Sequence, residues 1–319
     1  MTATDAATPP VAATPATAAA WAVAEAMVMG NGCALTVVDA DLAVAEGALA
    51  LTRRLDALWS RFRHDSDITA LNLAEGEPRR VDPLTCLLIG EMREAHRRTD
   101  GDFDPTLLPT LVAEGYAASR VEPGLTTWLP LTAQAGGDLD GIRIDGDVVT
   151  LPRGTTLDPG GIGKGLAADL AVAYALEHGA TGALAQFGGD ILATGAPPDG
   201  DAWRIGVEDP FRPGEHCDVL RVLHGAVATS STRRLRWNGT DGGEVHHLLD
   251  PRAGGSIRTD VQTVTVIAGT GARAESLTKP GFLRPVAEYL AWLPTQDAAA
   301  LVITADGTMH TTANWSDFR

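Results

Sequence analysis

The chain has 319 residues, enough for a large buried core, and its 45% hydrophobic and 21% charged content is ordinary for a globular protein. A formal net charge of -16 works against nucleic acid and anionic membrane surfaces, both of which need clustered Lys and Arg. Three widely spaced cysteines, Cys33, Cys86 and Cys217, speak against a disulfide scaffold and against a zinc site.

Residues 1–20 are rich in Ala, Thr and Pro and lack both a basic leader and a continuous apolar run, which predicts a disordered tail before one folded domain over 21–319. With no apolar stretch of about 18 residues to span a membrane, a cytoplasmic protein is expected. Residues 27–38 read as a first strand interrupted at Gly30-Asn31-Gly32, and apolar spacing at Leu51, Leu55, Leu58 and Phe62 predicts a helix over 42–62. A second helix is expected over 83–98, with Pro83 in its first turn and basic residues in its last. Residues 115–145 are loop-rich, and 142–151 reads as a hairpin around Asp145-Gly146. A glycine-rich turn at 158–165 leads into a helix over 166–178, stopped by Gly179. Short strands follow at 183–187, 191–194, 203–207, 219–223, 227–229, 235–237, 247–249 and 263–267. A helical stretch over 273–290 is interrupted by Pro280 and Pro285, and 301–304 with 308–311 suggests a closing hairpin. The order of elements indicates an α+β fold of mixed or antiparallel sheets with packed helices.

The glycine turn Asp158-Pro159-Gly160-Gly161-Ile162-Gly163-Lys164-Gly165 carries the clearest chemistry. It is neither a Walker A loop nor GxGxxG, since Gly165 stands where a magnesium-binding Ser or Thr would be. Glycines nevertheless let main-chain N–H groups approach an anion, and a helix N-terminus adds positive potential. Lys164 opposes the helix dipole at that position, which fits an anion-binding role better than a solvated side chain. Only two lysines occur in the chain, Lys164 and Lys279, against 23 arginines. Gly188-Gly189-Asp190, Asp102-Phe103-Asp104-Pro105-Thr106 and the run from His247 through Asp250 to Gly254 each read alone as turn chemistry.

Taken in order, these blocks resemble the FAD:protein FMN transferases, the ApbE-type flavin transferases. Met29-Gly30-Asn31 is similar to that family's Met-Gly-Thr entry strand, and the segment from Ser60 to Asn72 to its Ser-x-[Phe/Tyr]-x-x-Asp-Ser block. Gly101 to Thr106, Asp158 to Gly165, Gly188-Gly189-Asp190, Val227 to Ser230 and His247 to Gly254 complete the series over residues 27–285. The resemblance implies two lobes around an FAD cleft, with Met29, Phe62, Asp102, Phe103, Asp104, Asp158 and Lys164 contacting FAD. It implies a divalent metal, usually magnesium, at the diphosphate, and a Ser or Thr hydroxyl of an acceptor protein that attacks the FMN phosphorus as AMP leaves. His247 and Asp250 are the candidate bases for that hydroxyl. The family's metal ligands fall on a glycine-loop carbonyl, here Gly161, and on an Ala-Asp-x-x-x-Thr segment that reads Ala274-Glu275-Ser276-Leu277-Thr278-Lys279. Lys279 cannot ligate a hard cation while protonated, so its ammonium is expected to take over part of the metal's role. An FAD carrier without transferase activity and an FAD pyrophosphatase stay open; a dinucleotide-binding oxidoreductase would need a third glycine that does not follow Gly30-Asn31-Gly32.

Overall fold

The computed structural model describes residues 19–240 and 242–319, so the tail expected over 1–20 lies outside the described residues but for Ala19 and Ala20. The chain enters a tight hairpin, Trp21–Val28 (β1) and Asn31–Val38 (β2), where a single interrupted strand was expected. Met29 and Gly30 form its two-residue turn with φ of 52° and 71°, the doubly left-handed geometry that matches strand twist. Glycine takes that conformation freely, whereas methionine pays for it, and the Met at the first turn position hides the reversal from the sequence pattern.

Six further strands join β2. They are Gly182–Phe187 (β3), Asp190–Gly195 (β4), His224–Ser231 (β5), Val261–Ala268 (β6), Ala299–Thr304 (β7) and Met309–Thr311 (β8). All eight lie side by side in chain order and every neighbouring pair is antiparallel. Because side chains alternate across a strand, β7 sends Ala300 and Val302 to one face and Ala299, Leu301 and Ile303 to the other, and both faces are buried. The first face is covered by Leu42–Trp59 (α1), Gly163–Glu177 (α3) and Gly271–Leu277 (α4), with Pro83–Arg98 (α2) packed outside them. The second face is covered by a two-stranded ribbon, Trp203–Glu208 with His216–Val222, whose Trp203, Ile205, Val207, Leu220 and Val222 pack with Trp315.

Three helix boundaries differ from expectation for local reasons. α1 stops at Trp59, not Phe62, because Ser60 is extended and its Oγ accepts from the Phe62 N–H at 3.4 Å. α3 begins at Gly163, not 166, after a single 3-10 turn at Pro159–Gly161 capped by Asp158. The helical stretch over 273–290 is three short helices, α4, Pro280–Leu283 and Val286–Trp292, broken at both prolines. No strand covers 247–249; Glu244–His246 pairs with Arg236–Asn238, and His247 lies between that pair and Leu249–Asp250. The hairpin expected around Asp145 is present, as Arg143–Asp145 with Val148–Thr150. Among the described residues no helix is long and apolar enough to cross a membrane.

Candidate active site

A cavity of about 1240 Å³ opens where the β1–β2 turn, the segment after α1, the glycine loop before α3 and the end of α4 converge. Met29, Phe62, Asp102, Phe103, Asp104, Asp158, Gly161, Lys164, His247, Glu275 and Lys279 all line it, although they come from positions up to 250 residues apart. Asp250 does not. Its Oδ1 accepts from the Arg252 N–H at 2.8 Å and the Ala253 N–H at 3.1 Å, so it builds a turn, and its expected role as a base is withdrawn. Asp250→Ala is expected to lower stability by about 1 kcal/mol, as measured by melting.

The close crossing of α3 and α4 sets up the polar end of the cavity. A Cβ on Gly165 would lie 2.2 Å from the Gly271 carbonyl oxygen, so only two glycines allow these backbones to touch. Asp169 of α3 then accepts from the Gly271 N–H at 2.6 Å and the Ala272 N–H at 3.0 Å, capping α4. Burial raises the Asp169 carboxyl from 3.8 to about 6, against the pull of those two N–H groups. Between these values the folded chain holds a proton that the unfolded chain has released. This group therefore favours the folded state most below 3.8, and that contribution is lost as pH rises through about 6. Melting from pH 4 to pH 7 checks this: the difference between wild type and Asp169→Asn should shift in favour of the variant as pH rises.

The docked α4 carries Glu275 into the wall, where its Oε2 accepts from the Gly165 N–H at 2.8 Å and its Oε1 from Lys164 Nζ at 2.8 Å. Lys164 Nζ also donates to Asp190 of the Gly-Gly-Asp turn at the start of β4. Burial opposes the Lys164 charge most strongly, yet the two carboxylates outweigh it and hold the ammonium above the ordinary lysine range. Lys164 thus orders the wall as well as facing the cavity. Lys279 Nζ lies near it and donates to Ser230 Oγ at 3.1 Å, Thr278 Oγ1 at 3.1 Å and the Glu275 carbonyl at 3.0 Å. Burial lowers its pKa, with Glu275 pulling upward and Lys164 downward.

His247 lines the same cavity, and its Nδ1 is buried and without a hydrogen-bond partner. Burial, then Lys279, His246 and Lys164, push its pKa down to about 3, so the imidazole is neutral at pH 7 and available as an acceptor. The segment after α2 supplies another wall. Asp104 Oδ1 accepts from the Thr106 N–H at 2.8 Å and the Thr106 hydroxyl at 2.6 Å, and the buried Phe103 ring lies against Gly161. Asp102 bonds Arg284 Nε through Oδ2, and Arg252 Nη1 lies 2.8 Å from Oδ1 without hydrogen-bond alignment. Asp158 caps the glycine turn through the Gly160 N–H at 3.0 Å and faces Arg61 Nε at 3.6 Å.

The aromatic wall is absent from the sequence reading except for Phe62. The Arg61 guanidinium lies 4.0 Å from the Phe62 ring centre and 4.7 Å from that of Tyr116, and Tyr116 in turn packs 5.4 Å from Trp237. Tyr116 sits in the loop-rich region and Trp237 on a three-residue strand, so neither shows a periodicity that announces a site. Asp190 is likewise more than a turn residue, being a buried partner of Lys164.

The divalent site implied by the resemblance does not fit these residues. Both Glu275 carboxylate oxygens are engaged, and Lys279 places an ammonium on the Glu275 carbonyl, the Thr278 hydroxyl and the Ser230 hydroxyl. Among the described residues no group of three His, Cys, Asp or Glu side chains could hold a metal ion.

Comparison with known proteins places this geometry. The sequence profile of the ApbE family matches residues 29–303. A Vibrio cholerae protein named FAD:protein FMN transferase is 26% identical over 232 residues, covering 71% of this chain and 69% of its own length. A Treponema pallidum protein of the same name is 25% identical over 272 residues, covering 76% of this chain and 71% of its own length. The crystal structure of the ApbE protein from Thermotoga maritima superposes with a TM-score of 0.82 at 26% identity, covering 94% of this chain and 99% of the other.

Proposed function

The chain belongs to the ApbE family, and on that footing we propose that it transfers FMN from FAD to a Ser or Thr hydroxyl of an acceptor protein, releasing AMP. One observation carries the reading: motif blocks spread from Met29 to Lys279, each ordinary alone, all line one cavity. The cavity is large enough for a dinucleotide. Its chemistry is graded, with an aromatic and arginine wall at Phe62, Arg61 and Tyr116 suited to a planar heteroaromatic ring. A glycine loop and two ammonium groups at Lys164 and Lys279 form an end suited to a diphosphate.

The reaction needs positioning and charge balance more than covalent help from the protein. The acceptor oxygen forms a bond to the FMN phosphorus, the bond from that phosphorus to the bridging oxygen breaks, and AMP leaves with that oxygen. The hydroxyl proton passes to the imidazole of His247, a neutral base that lines this end of the cavity. Arrival of the anionic diphosphate screens Lys279 and Lys164, two of the causes that hold the His247 pKa down, so the imidazole becomes a stronger base when substrate is bound.

The test is incubation of the full chain with FAD and a candidate acceptor, followed by mass spectrometry of the acceptor and assay of AMP. Transfer predicts a covalent FMN adduct with AMP in equal amount. AMP release without an acceptor would identify a pyrophosphatase, and FAD binding without turnover a carrier.

A further inference from the structure

The Lys279 ammonium rests on neutral oxygens alone. Its three donors reach the Ser230 hydroxyl, the Thr278 hydroxyl and the Glu275 carbonyl, with no carboxylate among them. An all-oxygen set of this kind is what a hard divalent cation takes, and here a lysine fills it. The nearest carboxylate, Glu275, is turned toward Lys164 and the Gly165 N–H. A divalent ion brought to the same place would meet two ammonium groups and no spare carboxylate oxygen of Glu275, an arrangement that like-charge repulsion disfavours.

The position of Lys279 relative to the glycine loop gives this ammonium a target. A Cβ on Gly161 would lie 3.3 Å from Lys279 Cε and 3.0 Å from Phe103 Cε2, so the absence of a side chain lets the lysine stem lie against the loop. The loop amides and the ammonium therefore face one volume of the cavity. We propose that Lys279 stands in for a divalent cation at the diphosphate, so that this chain binds FAD without divalent metal. The inference rests on the FAD reading above. A compact ammonium held by these three oxygens supplies one positive charge beside the phosphate oxygens, and it is fixed in place before the substrate arrives.

Lys279 also caps the last turn of α4 through the Glu275 carbonyl, so loss of the side chain alone could act through the fold. Metal response separates the two roles. The experiment titrates FAD against the full chain by flavin fluorescence in EDTA and in excess Mg2+, and titrates Mn2+ by electron paramagnetic resonance with FAD present. Wild type is expected to bind FAD within about twofold equally in both buffers and to leave Mn2+ free. Lys279→Thr, which opens the oxygen set and can keep a hydroxyl there, is expected to bind FAD at least about tenfold more weakly in EDTA and to regain affinity with Mg2+. Lys279→Arg keeps the charge and should remain indifferent to Mg2+.

Wild-type affinity that rises about tenfold with Mg2+, or stoichiometric Mn2+ binding to wild type, would overturn the proposal while leaving the FAD reading intact. So would a folded Lys279→Thr that binds FAD normally in EDTA. If Lys279→Thr does not fold, the wild-type arms still decide. Absence of FAD binding to wild type in every buffer overturns the FAD reading, and this inference with it.

Discussion

Lys164→Met is expected to lower the melting temperature by about 5–8 °C and to abolish measurable FAD binding. The side chains of Asp190 and Glu275 are only 7% and 4% exposed, and Lys164 is the cation within salt-bridge reach of both. Removing the cation leaves two uncompensated buried carboxylates, a change that costs about 3–5 kcal/mol. For a chain of this size each kcal/mol corresponds to about 1.6 °C. The same lysine also faces the diphosphate end of the cavity, so two effects are superimposed. They separate in the triple variant Lys164→Met, Asp190→Asn, Glu275→Gln, which no longer carries the orphaned charges. Calorimetry should show most of the melting temperature restored, while fluorescence titration should still show FAD affinity lost. Recovery of affinity together with stability would assign Lys164 a purely architectural role.

His247→Ala is expected to reduce the transfer rate by about 10²–10⁴-fold, the usual contribution of a positioned general base, with FAD affinity changed little. The buried Nδ1 without a partner is the feature that sets this histidine apart from its neighbour. His246 is spoken for: its Nε2 bonds the Ile257 carbonyl at 3.1 Å and its Nδ1 accepts from the Leu248 N–H at 3.3 Å. The pH response follows from the signs. In the free chain His247 stays neutral down to about 3, so kcat/KM should show no acid limb from this residue between pH 5 and 7. In the substrate complex its pKa rises, so any acid limb from His247 belongs to kcat. Single-turnover measurement of adduct formation over pH 5 to 8, in wild type and variant, checks both statements.

The candidate site divides into parts that are legible in the sequence and parts that are not, and the division has physical causes. The glycine turn is visible because its conformation demands a residue type: Gly165 must touch Gly271, and Gly161 must admit both Phe103 and Lys279. Lys164 and Lys279 stand out because arginine supplies every other cation in the chain. His247 is visible only as one of two adjacent histidines; what distinguishes it is burial and an empty Nδ1, which depend on the packing of distant segments. Asp250 shows the reverse hazard, since an Asp-Pro turn and a catalytic carboxylate look alike until hydrogen bonds are known. Tyr116 joins the site from irregular chain, where no hydrophobic period marks it, and Trp237 packs behind it from a strand too short to show a period.

The fold follows a similar line. Long amphipathic helices such as α2 agree with their expected bounds, 83–98, because capping by Asp82 and a Pro in the first turn fix the start and basic residues crowd the end. The strands are recognisable as apolar runs, but their order is not, because an eight-stranded antiparallel meander depends on pairings across chain insertions as long as the 143 residues between Val38 and Gly182. The ribbon at 203–222 that closes the second face is also a tertiary fact; its alternation of buried and exposed residues announces a strand and not its partner sheet.

Titration of FAD into the full chain, followed by flavin fluorescence and repeated with AMP as competitor, probes the cavity most directly. One saturable site per chain, displaced by AMP and lost in Lys164→Met but kept in His247→Ala, is the expected result. A flavin signal that never saturates, or binding that Lys164→Met leaves untouched, would contradict the placement of a dinucleotide between the glycine loop and the aromatic wall.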